Sequence, residues 1–274
     1  MKPTLLLLLV GMFAVSGWAQ DSKHEPYSPE LVKRAEAGDA EAQANLGRLY
    51  GMGEGVTQDY KEEVKWYTKS AEQGFAFGQS LLGFCYYKGE GVTQDYKEAV
   101  KWFTKSAEQG NGGAQFNLGA FYANGTGVAK DQKEAVKWYT KAAENGNEMA
   151  DLRAGAQFTL GLCYFSGHGV TQDYKEAVKW YTKSAEQGNA VAQTFLAECY
   201  EKGNGVTQDY KEAVKWYTKS AEQGNSDSQY YLGLAYSTGT EVAKDEKEAV
   251  KWYTKSAEQG DERAKKALEQ LKSK

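Results

Sequence analysis

The chain is poor in histidine, proline and cysteine. Its two histidines, His24 and His168, cannot furnish a histidine-built metal cluster or a His-based catalytic triad. Three prolines in 274 residues leave helices uninterrupted, so chain reversal falls to the 30 glycines. Three cysteines, Cys85, Cys163 and Cys199, are an odd number and cannot all pair within one chain. Excess positive charge is missing too. With 33 basic and 37 acidic side chains the net charge is −4, which offers nucleic acid or an anionic membrane surface no attraction.

The one marked apolar run lies at the start, in MKPTLLLLLVGMFAVSGWAQ. Lys2 supplies a positive beginning, and the eleven uncharged residues Leu5–Val15 are too few to span a bilayer comfortably. Gly17 and Ala19 flank Trp18 as small residues. Residues 1–19 therefore read as a secretory signal peptide cut after Ala19, with a retained membrane anchor as the alternative. No cysteine follows the cut, which argues against a lipid anchor. Cleavage leaves 32 basic against 37 acidic side chains and no integral membrane segment. The expected destination is outside the cytoplasm, periplasmic or fully secreted. Residues 20–27 are expected to be a disordered leader.

What the chain has in abundance is repetition. DYKEAVKWYTKSAEQG occupies Asp173–Gly188 and returns unchanged at Asp209–Gly224. Trp66, Trp102, Trp138, Trp180, Trp216 and Trp252 are spaced by 36, 36, 42, 36 and 36 residues. A fixed period in this range is the signature of a solenoid.

Each unit reads as two helices. In the second, Asp59 stands as N-cap with Glu62 three residues on, and the pair recurs through Asp245/Glu248, a capping-box pattern. Tyr60, Val64, Tyr67 and Ala71 follow the helical period, and Gly74 ends the helix. In the first helix, Gln43, Leu46, Gly47 and Tyr50 fall on one arc, with Gly47 admitting a close neighbour. Between them, GEGVTQD at Gly53–Asp59 contains a G-x-G that is turn chemistry rather than a phosphate loop, because the strand that precedes such loops is missing. Glu241 replaces the second glycine in the sixth unit, so that turn is expected to be strained or rebuilt. Between units three and four, NEMADLRAGAQ at Asn147–Gln157 replaces NGGAQ. This insertion is either a helix extension capped by Asn147, with Met149 and Leu152 facing the side of Ala156, or a longer loop.

These residues carry a resemblance. LGFCYYKGEGVTQDYKEAVKWFTKSAEQG at Leu82–Gly110 resembles the Sel-one-like repeat family, relatives of tetratricopeptide repeats, through its L-G-x-x-Y, G-x-G-V, D-x-x-E-A and W-Y-x-K-x-A-E-Q-G elements. Six copies span about 39–74, 75–110, 111–146, 147–188, 189–224 and 225–260, with partial capping helices at 28–38 and 261–274. The resemblance implies an all-α fold, a right-handed α-α superhelix, that binds other proteins in envelope assembly, secretion, signalling or host contact. A cysteine-rich secreted branch of the family staples each unit with paired cysteines, and some of its members are assigned β-lactam hydrolysis. Here Ala71, Ala107 and Gly78 stand where the second cysteine would, which weakens that transfer. At the C-terminal end Glu269 takes the place of Gly47, tolerable only where nothing packs against it.

Against a near-constant unit the departures stand out. Three columns of the first helix vary, offset by i, i+4 and i+7 and hence on one stripe. The first holds Ala44, Ser80, Phe116, Phe158, Thr194 and Tyr230; the second Arg48, Phe84, Ala120, Leu162, Glu198 and Leu234; the third Gly51, Tyr87, Ala123, Phe165, Glu201 and Ser237. In a two-helix solenoid the first helix lines the concave side, so this stripe reads as a groove for a protein or peptide. Its expected contacts are Arg48, Phe84, Tyr87, Phe116, Phe158, Leu162, Phe165, Glu198, Glu201 and Tyr230. The alternative is that the rings are core, packed between copies. The cysteines share one column with Leu49, Phe121 and Ala235 and read as small packing residues. No catalytic residues, metal site or cofactor are expected. The reading is an exported, non-enzymatic scaffold; a β-lactam or cell-wall hydrolase and a structural spacer are the alternatives.

Overall fold

The computed structural model describes residues 25–146 and 150–272. Fourteen helices and no strand occur among them, arranged as a solenoid of helix pairs that divides into two compact units between Ala156 and Gln157. In the first unit α1 (Pro29–Glu36) precedes α2 (Ala40–Met52) with α3 (Tyr60–Glu72), α4 (Ala76–Lys88) with α5 (Tyr96–Glu108), and α6 (Gly112–Asn124) with α7 (Gln132–Glu144). Helix α8 (Ala150–Ser166) crosses the division. The second unit continues with α9 (Tyr174–Glu186), then α10 (Ala190–Lys202) with α11 (Tyr210–Glu222), α12 (Ser226–Thr238) with α13 (Glu246–Glu258), and α14 (Glu262–Lys272).

The glycine of the first-helix arc sets the spacing within a pair. A Cβ built at Gly47 or Gly119 would lie 2.7 Å from the ring of Tyr67 or Tyr139 on the second helix, closer than carbon atoms approach. The polar letters of the repeat are equally structural. Gln193 Nε2 donates to Ala185 O at 3.1 Å, and its Oε1 accepts from Gln223 Nε2 at 2.8 Å. The same two bonds form around Gln79 and Gln229, so the glutamine of one helix answers E-Q-G in the next. Ser70, Ser106 and Ser220 donate to carbonyls at the start of the preceding first helix, at 2.6–2.7 Å. In each second helix a lysine three residues after the tryptophan lies over its indole, at 4.0–4.5 Å from the ring centroid.

The expected caps form, with one correction. Asp59 Oδ1 accepts from Lys61 N and Glu62 N, but Glu62 does not close the capping box. The Asp59 amide is already spent on Tyr50 O at 2.9 Å, which fastens the inter-helix loop to the first helix. Glu62 pairs instead with Lys65 at 2.8 Å, and every later copy repeats both arrangements.

Glu241 keeps the turn of its glycine counterparts at φ +56°, so the turn is strained rather than rebuilt. The described part of the insertion is helical, since α8 has 17 residues against 13 in its counterparts, with Leu152 and Ala156 buried. Asn147 and Met149 lie outside the described residues, as do the signal segment and residues 20–24 of the leader. The rest of the leader is held in place. Arg34 bonds Glu25 at 2.8 Å, and Asn45 Nδ2 donates to Glu25 O at 3.1 Å. Glu269 is exposed.

Candidate binding surface

The three variable columns differ in depth. The first is core: Ala44, Ser80, Phe116, Phe158 and Thr194 are all buried, and only Tyr230 is half-buried. Phe116 packs 5.4 Å from Tyr139, and Phe158 lies 5.2 Å from Phe195 and 5.8 Å from Tyr181, centroid to centroid. Phe116 and Phe158 are thus packing residues and not groove contacts, a correction to the stripe expected from sequence. The reason is that the column lies against the pair's own second helix and, for Phe158, the next first helix as well. Phe84, at 9% exposure, is also largely enclosed, and so is Arg48 at 7%.

What reaches the surface is a rim. In the first unit it is Tyr87, half-buried against Phe84, Tyr96 and Phe121. In the second unit it comprises Leu162, Phe165, Glu198, Glu201 and Tyr230, all half-buried. There Glu198 pairs with Lys202 at 2.9 Å, and Tyr217 donates its hydroxyl to Glu201 at 3.0 Å while stacking on Tyr231. Burial drives the Tyr217 phenol well above its ordinary range, with the Glu201 charge adding to it, so it stays a donor.

Sequence reading missed the most unusual spot. Position 63 is glutamate in α3 and alanine in the other five copies (Ala99, Ala135, Ala177, Ala213 and Ala249). Glu63 is half-buried, and a Cβ at Gly51 would collide with its carboxylate, so Gly51 is what makes room for it. Tyr67 donates a hydrogen bond to it. Its Oε2 is shut off from solvent with no hydrogen-bond partner among the described residues. Burial raises the Glu63 carboxyl to about 7; the Tyr67 bond opposes the shift and the Glu90 charge adds to it. Beside it lies a cavity of about 180 Å³ lined by Arg48, Met52, Tyr60, Phe77, Leu81, Phe84, Cys85 and Glu90 among others. Arg48 Nη1 is bound to Glu54 at 2.7 Å. The sequence signal was present: Arg48, Gly51 and Glu63 are all singular among the six copies.

The three thiols are free and buried, and burial pushes Cys163 and Cys199 up to about 12, where they are unreactive as nucleophiles. A serine and a histidine do meet, Ser166 Oγ lying 2.7 Å from His168 Nδ1. The equivalent residues Thr238 and Thr240 make the same contact at 2.8 Å. Both pairs close the turn after a first helix, for Ser166 also donates to Leu162 O and Thr238 to Leu234 O. Among the described residues no group of three or more His, Cys, Asp or Glu side chains could hold a metal ion, and no helix is long and apolar enough to cross a membrane.

Comparison with known proteins agrees with this architecture. The Sel1 repeat model matches six times, at residues 40–75, 76–111, 113–147, 154–189, 190–225 and 226–261. The chain belongs to the Sel1-repeat family. It is similar to a solved protective antigen present in uropathogenic Escherichia coli strains, which displays an SLR fold. The two are 44% identical with a TM-score of 0.79 over 87% of this chain and 50% of that one, so the chain spans about half of that protein's length. It is also similar to a Sel1 repeat protein from Oxalobacter formigenes, at 37% identity and TM-score 0.71, over 81% of this chain and 89% of that one. A comparison with curated proteins gave no match. The chain is thus a repeat scaffold of a family that typically serves protein interaction, and these relatives are bacterial.

Proposed function

We propose that this protein is an exported, non-enzymatic scaffold that holds a protein or peptide against the rim of its first helices. The observation that carries the reading is the contrast within one chain. The second helices are near-identical copies, whereas the half-exposed rim positions Tyr87, Leu162, Phe165, Glu198, Glu201 and Tyr230 differ from copy to copy. Buried positions vary as well, as Ala44, Ser80, Phe116, Phe158 and Thr194 do, so what supports a ligand is variation at half-exposed places, where apolar rings and carboxylates stand side by side within a partner's reach. Leu162 and Phe165 offer apolar anchorage, and Glu198 and Glu201 one helix further on favour a basic stretch of the partner. Export rests on Lys2, the apolar run and the small residues at Gly17 and Ala19.

A photo-crosslinking residue placed at Leu162 or Tyr230 should give one discrete adduct in the producing cell, and the same residue at the outward-facing Lys179 none. Adducts equal at both places, or at neither, would refute the groove. Protein recovered from outside the cytoplasm should begin at Gln20; a chain retaining Met1 would refute cleavage.

A further inference from the structure

The first repeat concentrates its departures in one place. Arg48, Gly51 and Glu63 surround a cavity of about 180 Å³ that mixes apolar walls with carboxylates. Phe77, Leu81, Phe84 and Met52 supply the walls, and Glu63 and Glu90 the acids. The guanidinium in the lining already carries a carboxylate, that of Glu54. An entering anion would meet Glu63 and Glu90, and an entering apolar group would bring no donor to either carboxylate. An ammonium on an alkyl stem meets both demands, since its methylenes pack on rings and its three N–H groups donate. The edge of the cavity shows the compatibility, for Lys88 Nζ sits 5.3 Å from the Phe84 ring centroid and 3.9 Å from Glu90.

We propose that this cavity is a socket for a lysine side chain of the partner, its methylenes against Phe77, Leu81 and Phe84 and its ammonium on the Glu63 carboxylate. The inference rests on the scaffold reading for the partner's being a protein, but the socket itself is tested without one. The titratable and charged groups that line the cavity with Glu63 are Arg48 from α2, Tyr60 and Tyr67 from α3, and Cys85 and Glu90 from α4 and its loop; behind them Glu54 pairs with Arg48, and Lys88 lies 3.9 Å from Glu90. Of these, Tyr67 and Cys85 have pKa values raised well above the ordinary by burial and keep their protons near neutrality. Glu63, raised to about 7, exchanges one, so lysine capture near neutral pH expels a proton from it.

The probe is Nα-acetyl-lysine methylamide added to the full chain carrying ¹³C-methyl methionine, with Nα-acetyl-norleucine methylamide as the uncharged control. Met52, exposed at the socket's edge, is the reporter. The lysine probe should shift the Met52 methyl saturably, and titration calorimetry at pH 7 in buffers of different ionisation enthalpy should show proton release. Glu63→Gln should weaken the probe about tenfold or more, the loss of one charge-assisted contact, while its thermal melt stays at or above that of the parent chain. Equal binding of the norleucine probe would make the cavity merely apolar and overturn the proposal. So would undiminished lysine binding by Glu63→Gln, or no shift at saturating probe. Crosslinking from Leu162 does not depend on Glu63, so its failure with the socket intact would remove the scaffold reading alone.

Discussion

At the scale of single residues, the side chains that break the repeat carry most of what can be measured. Glu63 ionises near pH 7 in the fold, against about 4.5 when unburied. A group whose folded value is raised favours folding fully below its unfolded value, and that contribution is lost as pH climbs through the folded one. Glu63→Gln should therefore match the parent chain at about pH 4 and exceed it at about pH 8, by about 1 kcal/mol once the shift is discounted for partial exposure. Thermal melts at the two pH values check this; equal melts at both would mean the carboxylate is already solvated. Glu241 makes a second case. Its φ of +56° is costly for a residue with a Cβ, so Glu241→Gly should stabilise the chain by roughly 0.5–1 kcal/mol in urea denaturation. The glutamate is readable in the sequence as an exception, but that the turn keeps its shape and bears the strain is not, because rebuilding was an equal option for an isolated loop.

At the scale of helices, the glutamine ladder explains letters that hydrophobic patterning leaves unexplained. Gln193 bonds Ala185 O on one side and Gln223 on the other. In the third repeat the partner is Asn145, one methylene shorter. It donates to Gly110 O instead, and Gln115 Oε1 is left buried without a hydrogen-bond partner among the described residues. Gln193→Ala should consequently cost about 1–3 kcal/mol and Gln115→Ala about 1 kcal/mol less, both read from chemical denaturation. The aspartate caps were legible because they act within four residues. The reciprocal glutamate bond was not, because a contact from nine residues upstream, Tyr50 O to Asp59 N, takes the amide first in every copy. Likewise helical spacing puts the columns at i, i+4 and i+7 on one stripe, yet Phe116 and Phe158 are core and Leu162 and Phe165 are rim. Sequence spacing gives the angle around a helix; how deep that angle lies depends on the helices laid beside it.

At the scale of the whole molecule, stability in a repeat array is a sum over neighbours, so a helix with few buried side chains is among its weakest parts. Helix α14 has Ala264 as its one fully buried apolar side chain, with Glu269 open to solvent, whereas α11 in the same unit buries Ala213, Trp216, Tyr217 and Ala221. Amide exchange should therefore run fastest in α14 and markedly slower in α11, as hydrogen–deuterium mass spectrometry will show; protection equal in both would contradict nearest-neighbour stabilisation. The chain's own letters determined that it is helical, that it repeats six times, where the second helices are capped, and which residues are exceptional, because capping, glycine conformation and helical period act over a few residues. Tertiary structure alone decided which exceptions are core and which are surface, and that Arg48, Gly51 and Glu63 meet at one cavity. Burial and charge proximity arise between residues far apart in sequence, and only packed helices fix those distances.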